Sequence, residues 1–127
     1  MKYNASGVLI SGGYNRGDLK SVEIYNPVTN NICSLPHLPE ATQLHTQDGE
    51  LACGGGGSTE SSCVKWSSES GSWTQSHTLR QKRAGHVSWA TEDGVYLMGG
   101  RSSTKTTELV KEDGSVEEGF SLKYVTA

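Results

Sequence analysis

Three short apolar runs in this chain end in a pair of glycines: Val8-Leu9-Ile10-Ser11-Gly12-Gly13, Glu50-Leu51-Ala52-Cys53-Gly54-Gly55 and Val95-Tyr96-Leu97-Met98-Gly99-Gly100. The first glycines lie 42 and then 45 residues apart (Gly12 to Gly54, Gly54 to Gly99). Self-similarity at a period of roughly 40 to 50 residues marks a chain built from small supersecondary units, each of which buries its apolar face against the next. The register holds at other landmarks: Glu23, Val64 and Glu108 correspond, as do Tyr25, Trp66 and Val110, then Ile32, Trp73 and Val116. His45 aligns with His86, and Asp48-Gly49 with Asp93-Gly94.

Each unit parses as four short strands. In the middle unit these are expected at 44–47, 50–54, 62–67 and 72–79, separated by Asp-Gly, glycine-rich and Ser-Gly turns. The Asp-Gly pairs suit tight hairpins, because glycine accepts the positive φ such turns demand. Such a unit is a meandering antiparallel sheet, and the expected fold is all-β, with repeats over approximately 1–40, 41–82 and 83–122 in a single domain. Residues 123–127 resemble the first strand of a further unit. With 33% hydrophobic residues and 16 glycines, the chain is lean in apolar mass and rich in turns, which argues against long helices.

The landmarks resemble the kelch repeats, whose pattern combines a Gly-Gly after the second strand, a Glu-x-Tyr in the third and a Trp in the fourth. The first unit has Gly12-Gly13 and Glu23-Ile24-Tyr25-Asn26-Pro27; the second has Gly54-Gly55, Trp66 and Trp73; the third has Gly99-Gly100 and Glu108. The pattern departs where Ile32 and Val116 stand at the Trp position and Val110 at the Tyr position. The resemblance implies a partial kelch-type β-propeller of about three four-stranded antiparallel blades. It makes Glu23 and Glu108 structural hydrogen-bonding groups, since a buried carboxylate needs a basic or backbone partner. The paired glycines would let neighbouring backbones approach closely.

Propellers typically close with four to eight blades, so three leave two sheet faces uncovered. Three outcomes are open: a piece of a larger propeller, self-association with a second copy into a six-bladed ring, or an open arc.

The net charge of −3, with a single local basic cluster at Arg80, Lys82 and Arg83, gives no electrostatic footprint for nucleic acid. No stretch approaches the 18 apolar residues of a membrane-spanning helix, so no membrane insertion is expected, and residues 1–10 lack the apolar core of a secretory signal. Cys33, Cys53 and Cys63 do not fall at zinc spacings. Cys53 ends a second strand and Cys63 starts the third, so a cross-strand disulfide can close the glycine-rich loop between them; two reduced thiols are the alternative. Cys33 has no evident partner.

Of the histidines His37, His45, His77 and His86, the repeat equivalence of His45 and His86 suits a structural role in each unit. No serine or cysteine sits in a nucleophile motif. No metal or cofactor is expected, and the chain reads as non-enzymatic. Galactose oxidase is a copper enzyme on a propeller of this kind, but its ligand set cannot be assigned here. Residues 67–73 lack the Asp and the spacing of the Asp-box turn of sialidases. Asn4-Ala5-Ser6 matches the N-glycosylation pattern and, with the cysteine pair, leans the compartment toward extracellular.

The expected function is a protein-binding module. Its loops between second and third strands, at 14–20, 56–61 and 101–105, sit on a rigid scaffold, where recognition concentrates. The binding residues chosen are Arg16, Gly17, Asp18, Arg101 and Lys105. Arg16-Gly17-Asp18 also resembles integrin-recognition sequences, though the tripeptide is short and glycine is common in turns. The alternative readings are a substrate-adaptor piece of an intracellular kelch protein and, ranked after it, part of a propeller enzyme of the galactose oxidase type.

Overall fold

The structure is a computed structural model that describes residues 7–101 and 105–123. Eleven β-strands and one 3-10 turn, Gly57–Thr59, make up its regular elements, and no α-helix occurs among the described residues. The first sheet holds β1 (Val8–Ser11), β2 (Val22–Asn26) and β3 (Asn31–Leu35). The second holds β4 (Thr46–Asp48), β5 (Leu51–Cys53), β6 (Ser62–Ser67) and β7 (Ser72–Thr78). The third holds β8 (Val87–Thr91), β9 (Gly94–Met98), β10 (Thr107–Val110) and β11 (Val116–Glu118). Every pairing is antiparallel between chain neighbours, so each sheet is a meander.

Glycine-rich turns end the strands, with one correction to the expected turn chemistry. Gly49, at φ 58°, sits in the two-residue loop between the paired Asp48 and Leu51. In the third sheet the loop is Glu92-Asp93, and Gly94 instead opens β9 opposite Thr91. The chain turns two residues earlier there than in the second sheet, and the Thr91 hydroxyl accepts the Asp93 N–H at 3.2 Å within that loop.

The aligned landmarks stand opposite one another in all three sheets. Tyr25 pairs with Ile32, Trp66 with Trp73, and Val110 with Val116. The Trp66 and Trp73 rings lie 5.6 Å apart, an aromatic cross-strand pair of the kind that stabilises a ladder.

Alternation along the strands gives each sheet two faces, and the sheets pack in chain order. Leu9, Val22, Leu38 and Trp66 form one core between the first and second sheets. Leu51, Cys53, Cys63, Leu79, Val95, Leu97 and Val110 form the other, between the second and third. The outer face of the first sheet leaves Val8, Ile10 and Ile32 exposed, and that of the third leaves Val87 and Trp89 exposed.

Backbone hydrogen bonds lock the sheets together, and they repeat. Gly13 N–H donates to Thr42 O and Gly55 N–H to Arg83 O, each at 2.8 Å. The segment entering one unit therefore crosses the glycine pair of the unit before it. A Cβ on Gly12 would stand 2.7 Å from Thr42 O, and one on Gly54 would stand 2.6 Å from Arg83 O. That close approach is the physical reason for glycine here.

Candidate functional site

The three loops expected to bind all follow a glycine pair, and the interlock just described brings them out at the same end of consecutive sheets. In the first, Asn15 N–H donates to Gly17 O at 3.0 Å and Tyr14 bridges to Asp18, which folds 14–18 into a tight turn. Arg16, at φ 60°, is exposed, whereas Asp18 is half-buried. An Asp18 carboxylate oxygen lies near Gly56 and Gly57 of the second loop, 3.7 and 3.8 Å from where their Cβ atoms would stand. The Arg-Gly-Asp tripeptide thus turns its acid toward a neighbouring loop and its base toward solvent.

The second loop is the 3-10 turn, pinned by the Thr59 hydroxyl to Gly56 O at 2.9 Å. In the third, Arg101 N–H donates to Ala84 O at 2.9 Å, and Arg101 and Lys105 are exposed. Residues 102–104 between them lie outside the described residues, as do Asn4-Ala5-Ser6 and 124–127.

The histidines read as structural are placed between sheets. His45 bonds the Ser11 hydroxyl at 3.0 Å and the Ser11 backbone; His86 bonds the Thr46 hydroxyl at 3.1 Å and the Cys53 backbone. Burial lowers both rings, His86 to about 4 with further help from the Arg83 charge, so both are neutral at physiological pH. His77 is buried and bonds Lys111 O at 2.6 Å, joining the second sheet to a turn of the third. Among the described residues no group of three His, Cys, Asp or Glu side chains could hold a metal ion.

Cys53 and Cys63 stand directly opposite in the β5–β6 ladder and are disulfide-bonded, while Cys33 is exposed and carries a free thiol. Glu108 is buried, and its partner is Arg83, with a guanidinium nitrogen 3.4 Å from the carboxylate. Glu23, read as its structural counterpart, is instead exposed.

Sequence reasoning missed two features. Arg83, fully buried, was grouped with Arg80 and Lys82 as a local basic cluster; the need of Glu108 for a basic partner was the signal that could have singled it out. The second is a cavity of about 460 Å³ against the second sheet. Leu38 and Glu40 of the segment joining the first two sheets wall one side, and Ala52, Val64, Trp73 and Gln75 wall the other.

No protein-family model matches the chain, and a comparison with curated proteins finds no match.

Proposed function

We propose that this chain is a non-enzymatic protein-binding module built from kelch-type propeller blades, with the loops between second and third strands as its binding rim. The observation that carries this reading is the gathering of the three loops at one end of interlocked sheets. They carry the exposed cations Arg16, Arg101 and Lys105 there. A rigid scaffold lowers the ordering cost of recognition, and exposed cations suit an acidic patch on a partner protein. Outside this rim, His45, His77, His86 and the Arg83–Glu108 pair are engaged in bonds that hold the sheets. That use of the titratable groups supports a binding role over a catalytic one.

The kelch-type propeller itself is part of the proposal. Its support is the regular recurrence of glycine pair, cross-strand Tyr or Trp position and inter-sheet hydrogen bond. The Cys53–Cys63 disulfide supports work in an oxidising, extracellular setting.

Charge exchange tests the rim. Arg16→Glu and Arg101→Glu should each abolish partner capture in an affinity experiment. Glu69→Lys, in the exposed turn after β6 at the other end of the second sheet, should leave capture intact. Equal capture by all three variants would remove the rim from the interface.

A further inference from the structure

We propose that the cavity against the second sheet is a binding site for a guanidinium cation. The inference stands apart from the rim loops, because its template lies inside the molecule: the third sheet fills the matching place with a guanidinium of its own.

The match between positions is fixed by hydrogen bonds. Thr42 N–H donates to Leu19 O and Thr42 O accepts from Gly13; Arg83 N–H donates to Glu60 O and Arg83 O accepts from Gly55. Thr42 and Arg83 therefore hold one repeat position. Ala52 pairs with Val64 in the second sheet as Leu97 pairs with Glu108 in the third. Gly54 N–H donates to Ser62 O as Gly99 N–H donates to Thr106 O.

In the third sheet, one terminal nitrogen of Arg83 donates to Gly99 O at 2.8 Å and Thr106 O at 2.9 Å. The other donates to the Thr106 hydroxyl at 2.9 Å and reaches Glu108 at 3.4 Å. Arg83 and Glu108 are both buried, so the site is filled. In the second sheet, Thr42, Ala52 and Val64 replace Arg83, Leu97 and Glu108. Three large side chains become three small ones, and the cavity of about 460 Å³ lies where they would have packed.

The acceptors persist after the plug is gone. Gly54 and Ser62, which hold the positions of Gly99 and Thr106, both line the cavity. Their carbonyls and the Ser62 hydroxyl correspond to the groups that grip Arg83. Glu40, an exposed residue of the lining, adds the carboxylate of the joining segment to the cavity. Among the described residues no Lys or Arg lines the cavity, and burial lowers the pKa of His45 in its wall. Trp73 adds an aromatic wall, its ring held by an Nε1–H bond to Pro36 O at 3.0 Å. A planar, weakly hydrated cation with several donors meets all of these groups, and aromatic faces favour guanidinium. The volume falls within the range of roughly 300 to 1,000 Å³ common for small-ligand sites.

The experiment follows the Trp73 indole N–H by NMR while methylguanidinium is added to the intact chain, with methylammonium and urea as comparisons. A saturable shift with methylguanidinium, weaker with methylammonium and absent with urea, is expected. Glu40→Gln should weaken binding roughly tenfold, the effect of losing one charge-assisted hydrogen bond. Thr42→Arg with Val64→Glu rebuilds the third-sheet plug and should abolish binding; Ala52→Leu, a smaller filling change, serves if the double variant does not fold. Tighter binding of an N-acetyl-arginine amide than of methylguanidinium would assign the site to a partner's arginine, and equal binding to a small guanidine. The proposal is overturned if no saturable shift occurs, if urea binds as well as methylguanidinium, or if filling the cavity leaves binding unchanged.

Discussion

Thr42 and Arg83 stand at one repeat position and leave opposite surroundings, an open cavity in one sheet and a buried ion pair in the next. A neighbour of that pair governs how the fold responds to acid. His86 is held neutral to about pH 4 chiefly by burial, then by the charges of Arg83 and His45. In the unfolded chain the same ring takes up its proton near the ordinary value of about 6.5. Stability from the neutral ring is therefore complete above about pH 6.5 and is lost as the pH falls toward 4. The shift corresponds to at most ~3 kcal/mol. Glu108 works in the other direction: burial raises its pKa, so its protonation on acidification favours the folded state. Urea unfolding between about pH 7 and pH 4.5 should show falling stability, and His86→Asn should flatten that slope. An unaltered slope in the variant would assign the acid sensitivity to another group.

At the level of the elements, the glycine pairs decide how closely one sheet can approach the next. Gly54 and Gly71 both have left-handed φ, 71° and 65°, yet their surroundings differ. A Cβ at Gly54 would meet the Arg83 carbonyl and the His86 ring, whereas one at Gly71, in the β6–β7 turn, meets nothing within 4 Å. Gly71→Ala should then lose only the backbone term, roughly 1 to 2 kcal/mol. Gly54→Ala should lose that and a further ~1 to 3 kcal/mol from forcing the sheets apart. Chemical denaturation of the two variants measures the difference. Equal losses would mean that the inter-sheet contact at Gly54 is easily relaxed.

For the whole molecule, both ends of the stack present apolar side chains among the described residues. Val8, Ile10, Tyr25 and Ile32 occupy the positions that Val95, Leu97, Val110 and Val116 use to cover the second sheet. On the outer face of the third sheet Trp89 stacks on Tyr96 at 5.6 Å, and Tyr96 contacts Phe120 at 5.7 Å. Trp89 remains 55% exposed and Ile10 50% exposed, too much apolar surface at both ends for an isolated chain to hide. Native mass spectrometry across a concentration series should show association, with two copies joining into six sheets. Ile10→Lys with Trp89→Lys should return the chain to monomer. A native chain that stays monomeric at every concentration would end the self-association reading.

Local chemistry made the strands legible. Glycine pairs, alternating apolar residues and the spacing of Tyr25, Trp66 and Val110 are short-range signals, and they suffice for three meandering antiparallel sheets with the Cys53–Cys63 contact inside one of them. The β8–β9 turn was misplaced by one residue, because the Thr91 hydroxyl competes with glycine for control of the loop. Contacts between units were beyond such reading. Whether Glu108 is buried and Glu23 exposed depends on which residue another segment brings alongside. Whether a gap between packed layers is filled or empty depends on the joint size of residues as distant as Thr42, Ala52 and Val64. The sequence alone therefore determined the repeat, the strands and the loops that bear charge; the stacking of the sheets decided the buried ion pair, the cavity and the two uncovered faces, since each arises from surfaces that meet only once the chain has folded.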